Sequence, residues 1–454
     1  TQGYYGGAYQ SNIFIDRDYS SNFYFLRSFD GYTIFQPDVQ YYNTTTPYSY
    51  LRYIYGQENT TTPEQTFEAF HTQNIDPYTN FGFRFNTIKS NGHYPAQFGH
   101  HRYMNAFFTR HYGNYEGFLS FIRSKNTLME NGGLAKPEEF SPKILTDRLT
   151  TKFGSGTTSD HIHYSLFTKH EYKFEFPKTV VDTLDSIAPK PRGSEYGIEY
   201  MLHLESYKRN YTETALNNMY YSNLYTDTLA GYNDSIRLQR VVNRFQLKAY
   251  ESEYRRFTFN ARAYIENELV WAVHPIRSGQ TSYQFGNMIL GGELSRNNGI
   301  LGTWSGTARF VMLGRNLGDA LVKGTYEKSF NLWTDTLSFR LQGWYQDQSA
   351  DIFEERMVLN RMKWENNFKK EHRVVLNAEA EIPDYRLLGG ANYTLLSNYL
   401  YVNDLAMPDQ YTNEFSLLTA WAEKMTLFGH FGWDNKVVWQ ALSDTRALQL
   451  PTWS

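Results

Sequence analysis

The sequence lacks cysteine, and it lacks any long apolar run. Because none of the 454 residues is cysteine, a disulfide framework, a thiolate metal site and a cysteine nucleophile are all excluded. The longest apolar stretch that we identify covers residues 269–273, far short of the roughly 20 residues that a helix needs to cross a bilayer. The sequence therefore predicts no membrane-spanning helix.

An excess of charge of either sign is also missing. The net charge is −3 and the pI is near 6.5, so the chain has no general electrostatic attraction for the phosphates of nucleic acid. We expect no nucleic-acid partner. The first seven residues have neither a charged start nor an apolar core, and we predict that they are a mature end from which an export signal has been removed.

Aromatic residues are abundant. They make up 17% of the chain, with 38 Tyr, 32 Phe and 9 Trp, although the mean hydropathy is −0.59. A soluble core would rely on Leu, Ile and Val, whereas Tyr and Phe are spread here from end to end. Aromatic side chains suit pleated strands, and Tyr and Trp concentrate where protein meets both lipid and water.

Apolar and polar residues alternate in many segments, which is the pattern of a strand with two different faces. Phe81, Phe83 and Phe85 alternate with Gly82, Arg84 and Asn86. The same pattern occupies 198–205, 257–266, 337–342 and 374–382. Such segments run for about 9 to 15 residues, as strands that cross a bilayer at a tilt do.

A soluble sandwich or propeller is the alternative that periodicity alone leaves open. The polar faces favour the membrane interpretation, because they mix Arg, Glu, Asn, Gln, Gly and Tyr as a wet, crowded lumen would. We predict an all-β fold: a transmembrane antiparallel up-and-down β-barrel of about 18 to 20 strands, with short periplasmic turns and long extracellular loops.

The connections between strands are predicted to be of two kinds. Tight turns are expected at 112–114, 315–318 and 370–372. Long loops are expected at about 125–157, 177–195, 210–235, 347–360 and 398–410. We predict one barrel domain over residues 1–454, in which the first 45 residues form either two lead-in strands, at 21–29 and 32–42, or a segment inside the lumen.

Several short sequence motifs occur in a specific order and spacing. They are Thr46–Gly56, Glu64–Phe67, His71–Ile75, Ser90–Gln97 and Glu130–Leu134, followed much later by Asp434–Gln440 and Leu450–Pro451. In these motifs and their order, the chain resembles the "Putative porin" family of the Bacteroidota.

This resemblance implies an integral barrel of the Gram-negative outer membrane. Members of that family continue for several more strands and close with a terminal aromatic residue, whereas this sequence stops at Pro451–Ser454. Two alternatives follow: either C-terminal strands are missing, or the N-terminal strands close the barrel. The implied surroundings are outer-membrane lipid and lipopolysaccharide. Outer-membrane lipoproteins or other barrels are further candidate partners.

Five short Asp-Ser and Asp-Thr triplets are similar to the O-glycosylation acceptor of exported proteins from the same phylum. The candidate acceptors are Thr183, Ser186, Thr228, Ser235 and Thr336. The alternative is that Asp-Ser and Asp-Thr are ordinary turn formers.

Catalytic and metal-binding patterns are scarce. His161 and His163 would share one face of a strand and could bind one ion, but no third ligand is close in sequence, so we predict polar lumen or loop histidines and no metal or cofactor. There is no G-x-S-x-G, H-E-x-x-H or P-loop motif, and we predict that the chain is not an enzyme. Because strand-like alternation starts early in the given sequence, we expect no plug domain of the kind that a TonB-gated transporter has.

Charged residues at polar-face positions are the candidates for lining a pore. They are Arg84, Arg102, Arg110, Arg123, Glu199, Glu205, Arg262, Glu266, Glu293, Arg309, Arg340 and Glu379. Opposite charges around an open channel would screen small hydrophilic solutes during passive diffusion, which is the predicted function. Paired across a filled lumen they would only brace the barrel, and the chain would be an accessory subunit of an outer-membrane complex for protein insertion, secretion or nutrient uptake.

Overall fold

The computed structural model describes most of the chain. The described residues are 4–17, 22–57, 63–136, 138, 148–154, 156–174, 196–214, 232–251, 259–276, 279–297, 302–332, 335–428, 431–446 and 448–454. Within these ranges no helix is both long and apolar enough to cross a bilayer.

One antiparallel sheet of 17 strands dominates the fold. Its first strands are β1 (Tyr48–Gln57), β2 (Pro63–Asp76), β3 (Thr79–Asn91), β4 (Phe98–Tyr112), β5 (Tyr115–Met129), β6 (Thr157–Phe174), β7 (Tyr196–Glu213), β8 (Tyr232–Ala249) and β9 (Asn260–Ile276). It continues with β10 (Gly279–Arg296), β11 (Thr303–Gly314), β12 (Ala320–Leu332), β13 (Asp335–Gln348), β16 (Glu371–Ile382), β17 (Leu387–Ser397), β20 (Phe415–Phe428) and β21 (Phe431–Leu442). Each strand pairs with the next in this order, so the sheet is an up-and-down meander.

Small elements lie in the connections. A short helix, α1 (Ile352–Glu355), and the hairpin of β14 (Arg356–Val358) and β15 (Lys363–Glu365) stand between β13 and β16. A second hairpin, β18 (Tyr399–Val402) with β19 (Pro408–Tyr411), stands between β17 and β20. Turns of 3-10 helix occur at Phe14–Asp16, Tyr24–Tyr32, Gln36–Asp38 and Pro383–Tyr385.

The described sheet has one strand fewer than the lower end of the predicted range. The predicted lead-in strands at 21–29 and 32–42 are one reason, because their described residues form 3-10 turns and irregular backbone instead. The tight turns after Tyr112 and Arg315 are present. The turn predicted at 370–372 is wrong, since Glu371 already pairs with Gln348 in β16.

The strand order gives the sheet two ends. We call the end with the connections 77–78, 113–114, 333–334 and 429–430 the turn end, and the end with 130–156, 214–231, 349–370 and 398–414 the loop end. The predicted long loop at 177–195 falls between β6 and β7, and therefore joins strands at the turn end. The predicted segregation of all long loops to one side is wrong at this point, because consecutive connections of a meander must alternate between its ends.

The sheet curves around the N-terminal segment, of which residues 4–17 and 22–45 are described. Phe14 packs with Leu396 of β17 and Leu417 of β20. Val39 packs in a cluster with Phe70 of β2. One short segment can touch strands near both edges of so wide a sheet only if the sheet bends around it, which gives the sheet a concave and a convex face.

The predicted alternation places apolar side chains on the convex face. Phe83 is 43% exposed there, whereas Phe70 and Phe107, on the concave face of the neighbouring strands, are buried. The apolar sides of the segments at 198–204, 337–341 and 374–382 also face outward, since their strand partners place the intervening residues on the concave side. Exposed apolar side chains along the outer face are the reverse of a soluble sandwich, whose outer faces are polar.

Three arginines assigned to the inner wall by sequence lie on the convex face, and that assignment is corrected. Arg102 and Arg110 alternate in β4 with the concave residues His101 and Thr109, and Arg123 stacks on the convex ring of Tyr164. The concave face of β4 carries aromatic residues that pack against the N-terminal segment, so polarity did not distinguish its two sides.

Aromatic packing holds the N-terminal segment on the concave face. The buried ring of Phe23 stacks on Tyr207 of β7 at 5.5 Å between centroids and meets Phe353 of α1 edge-on at 5.6 Å. Phe29 and Phe35 lie in the same cluster. This cluster joins the segment, the sheet and the connection after β13 into one core.

We expect Phe23→Ala to loosen the segment without unfolding the sheet. Losing a buried Phe side chain costs about 3–5 kcal/mol, and about 3 kcal/mol corresponds to an increase on the order of 100-fold in the opened population. Limited trypsin digestion of the detergent-solubilised protein should cleave after Arg27 correspondingly faster. Phe83→Ala, which trims an exposed convex ring, is the control; equal cleavage rates in both variants would contradict the role of this core.

Candidate solute pathway on the concave face

The remaining charged candidates all project from the concave face. Their cross-strand partners are concave residues of the neighbouring strands. They are Arg84, Glu199, Glu205, Arg262, Glu266, Glu293, Arg309, Arg340 and Glu379. Each lies within 4.0 Å of a group of opposite charge.

The most deeply buried network centres on Arg240 of β8. Its guanidinium contacts Glu205 of β7 at 2.8 Å and Glu268 of β9 at 2.5 Å. Glu268 also accepts a hydrogen bond from Asn287 of β10. The Glu205 side chain is only 4% exposed, and those of Arg240 and Glu268 are 16% and 13% exposed, so this network ties four strands together with little exposure to water.

A second network lies nearer the turn end. The Lys248 ammonium contacts Glu171 at 2.6 Å and Glu199 at 2.5 Å, and the Tyr250 hydroxyl donates to Glu171. Between the two networks, Glu266 contacts Arg244 at 2.5 Å and Arg309 at 3.7 Å. Ion-paired side chains thus form a continuous network along the concave side of β6 to β11.

Two other groups of ion pairs on the concave face are open to solvent. Arg340 of β13 contacts Glu327 at 2.6 Å and Glu379 at 3.2 Å, yet its side chain is 49% exposed. Arg262 contacts Glu293 at 3.5 Å and is 48% exposed. The N-terminal segment covers the concave face of β3 to β9 near the loop end but leaves these pairs uncovered.

A polar cavity of about 430 Å³ lies between the covered and the open regions. The N-terminal segment, the wall strands and the connection after β13 all contribute to it. Its cationic side chains are Arg17, Arg27, Arg240, Arg315 and Arg373. Carboxylates face several of them, as in the contacts Arg27–Glu354 at 3.1 Å and Arg315–Glu355 at 2.8 Å.

Asp351 joins this cavity from the connection outside the strands. It caps α1 by accepting a hydrogen bond from the Phe353 amide at 2.8 Å. Burial raises the pKa of its carboxyl, and the neighbouring Glu354 raises it further, while Arg27 opposes both effects. The charge of the cavity wall is therefore more sensitive to mild acid than an exposed aspartate would make it.

The candidate metal ligands are packed as core side chains. His163 is buried and stacks on Tyr207 at 4.5 Å, and His161 lies 5.0 Å from the ring of Phe29. Within the described ranges, no group of three or more His, Asp or Glu side chains is arranged to hold a metal ion.

Two of the candidate glycosylation sites lie in strands. Ser235 is the fourth residue of β8 and Thr336 the second of β13, so the loop predicted to extend to residue 235 ends earlier than expected. Thr183, Ser186 and Thr228 fall outside the described residues.

Some site residues were not anticipated from the sequence. Arg240, Arg244 and Lys248 recur at even positions of β8 on the face shared with Leu238, a period-two signal that could have been recognised. The cavity residues Arg17 and Arg27 carried no such signal, because they lie in irregular and 3-10 segments.

Comparison with known families identifies the chain. The sequence model of the family described as "Putative porin" matches residues 2–454. The chain belongs to the "Putative porin" family. No curated protein matches the sequence.

The fold of this porin-family chain is similar to those of several solved outer-membrane proteins. A siderophore receptor, PirA of Acinetobacter baumannii, has a TM-score of 0.58 at 9% identity, covering 90% of this chain and 64% of that one. A mutant ferric enterobactin receptor, PfeA of Pseudomonas aeruginosa, has a TM-score of 0.56 at 8% identity, covering 87% and 61%. The copper transporter OprC has a TM-score of 0.56 at 9% identity, with the same coverages. At such identities the likeness shows the outer-membrane barrel type of fold alone, and this chain spans about three-fifths of the length of these structures.

Substitution of single arginines should show that the buried network contributes more to stability than the solvent-exposed ion pairs do. Arg240→Gln leaves two carboxylates without their cation, one of them almost fully buried, and breaking a buried pair costs about 3–5 kcal/mol. Arg340→Gln removes a half-exposed cation and should cost about 1 kcal/mol or less. Thermal unfolding in detergent checks both variants; a larger loss for Arg340→Gln would contradict the proposed division of the lumen.

Proposed function

We propose that this porin-family chain forms an outer-membrane channel for passive diffusion of small hydrophilic solutes. The observation that carries the proposal is the set of half-exposed opposite charges on the concave face, around Arg262 and Arg340. Solvated charges of both signs along one wall produce a transverse field that slows apolar solutes and admits small polar ones.

The convex face supports insertion in a bilayer. On β13 the outward residues Leu337, Phe339, Leu341, Gly343 and Tyr345 are followed by Asp347. Eight residue steps of about 3.4 Å, tilted by about 40°, give an apolar height of about 21 Å, close to the roughly 25 Å band of outer-membrane barrels. We call these outward rows the apolar band.

The turn end of the apolar band carries tyrosines. Tyr112 pairs directly with Tyr115, and Tyr115 pairs with Tyr172 of β6, all on the convex face. Each is more exposed than a core tyrosine, with Tyr112 at 58%. An aromatic girdle of this kind marks a membrane–water interface in barrels.

The packing of the N-terminal segment inside the curved sheet favours a second candidate function, that of an accessory barrel. The N-terminal segment and the connection after β13 pack together around Phe23 and Phe353, and residues that seal a lumen would suit an accessory barrel in a larger outer-membrane complex. The two functions differ in whether ions pass along the open side.

Single-channel conductance in a planar bilayer tests the proposal. The protein should give steady conductance, and the double variant Arg262→Gln/Arg340→Gln should shift the reversal potential in a salt gradient toward cation selectivity, because two fixed positive charges leave the lumen wall. Arg123→Gln, on the convex face, is the control and should leave the reversal potential unchanged. Protein that inserts into the bilayer but conducts no current would contradict the proposal of a diffusion channel and favour the accessory barrel.

Barrel formation has a separate test. In detergent, the unheated full chain should migrate differently from the boiled sample on a gel and give a β-type circular dichroism spectrum. A single migration position before and after boiling, together with loss of the β-type signal in detergent, would count against a stable barrel.

A further inference from the structure

Four basic residues form a straight row across the convex face near the loop end. Arg102 of β4 pairs with Lys125 of β5, Lys125 with Ile162 of β6, Ile162 with Lys208 of β7, and Lys208 with Arg237 of β8. We call Arg102, Lys125, Lys208 and Arg237 the basic row. At about 4.8 Å between neighbouring strands, the row is about 19 Å long.

This arrangement is costly without an anion. Arg102 faces Lys125 directly, and Lys208 faces Arg237 directly, and like charges at directly opposed positions of a sheet repel each other. Lys125 contacts Asp160 at 3.2 Å. Within the described part of the chain, no carboxylate lies within 4.0 Å of Arg102, Lys208 or Arg237.

An apolar groove lies immediately below the basic row, toward the turn end. It measures about 430 Å³, and Phe121, Tyr164, Leu166, Leu204, Val241 and Trp271 line it. Phe121, Leu166, Leu204 and Val241 form one cross-strand row, four residues along each strand from the basic row. Arg123 stacks on Tyr164 at the boundary between the two.

The height of the basic row matches a membrane interface. From Tyr115, at the turn end of β5, to Lys125 there are ten residue steps, or about 26 Å after allowing for strand tilt. That distance is about the thickness of the apolar band of an outer-membrane barrel. In the proposed membrane orientation, the basic row therefore lies at the headgroup level of the leaflet on the loop-end side, and the groove lies at the level of the acyl chains.

We propose that the convex face of β4 to β9 is a binding site for a lipid with more than one phosphate group. The phosphates would contact the basic row, which is too long for a single phosphate, and one acyl chain would lie in the groove beneath Tyr164 and Trp271. The bound anion would relieve the repulsion between the paired cations, and Arg side chains would bind phosphate oxygens with two hydrogen bonds. This site rests on the proposed bilayer insertion but not on an open lumen.

The test is binding of diphosphoryl lipid A to the full chain in neutral detergent micelles, measured by native mass spectrometry and titration. Arg102→Gln/Lys208→Gln/Arg237→Gln should bind on the order of 100-fold more weakly, since each basic residue at an anionic lipid surface contributes roughly a factor of five. The matched control is Arg110→Gln/Lys328→Gln/Lys424→Gln, which removes the same charge from the convex face nearer the turn end and should bind like the unaltered protein.

A second arm distinguishes a lipid site from a plain phosphate site. The same disaccharide bisphosphate without acyl chains, and inorganic phosphate, should bind much more weakly than the acylated lipid. Equal binding of the deacylated compound, or equal lipid binding by the basic-row variant and the control variant, would overturn the proposal. Each variant is first checked for its heat-dependent gel shift, so that loss of the barrel is distinguished from loss of the site.

Discussion

The contact between the N-terminal segment and the concave face of the sheet is the constraint on which the rest of the structure depends. A curved sheet of 17 strands encloses more space than its own side chains can fill. Phe23, Phe29 and Phe35 fill part of that space with aromatic rings, and Tyr207 and Phe353 complete the packing. The enclosed space is consequently divided into a packed region nearer the loop end, where the N-terminal segment lies, and an uncovered region nearer the turn end, around Arg262 and Arg340.

This division assigns different roles to ion pairs that look alike in sequence. Arg240 and Arg340 each bridge two glutamates on neighbouring strands. Around Arg240 the side chains are only 4–16% exposed, so the ion pairs act as a brace whose loss would leave buried charge. Around Arg340 water screens the charges, so the pair contributes little to stability and can act on passing solutes.

The convex face follows a different physical rule if the chain is inserted as proposed, because depth in the membrane then sets its surroundings. In the proposed membrane orientation, Phe83, Leu166 and Leu204 occupy the apolar band, whereas the tyrosines near Tyr115 and the basic row at Lys125 lie at its two borders. Charge is tolerated at a border and costly within the band. The convex positions of Arg102, Arg110 and Arg123, unexpected from polarity alone, are consistent with this rule because each lies near one border.

The sequence by itself determined the all-β class and the outward faces of segments such as 81–85 and 374–382, since these depend on local alternation. It also determined the family, which depends on the order and spacing of short sequence motifs. Only the tertiary structure decided which face of β4 points inward, because that strand carries aromatic and charged residues on both sides. It also decided that residues 24–32 are a 3-10 segment packed against the concave face. The alignment of Arg102, Lys125, Lys208 and Arg237 was equally hidden, because strand register depends on contacts between residues far apart in sequence.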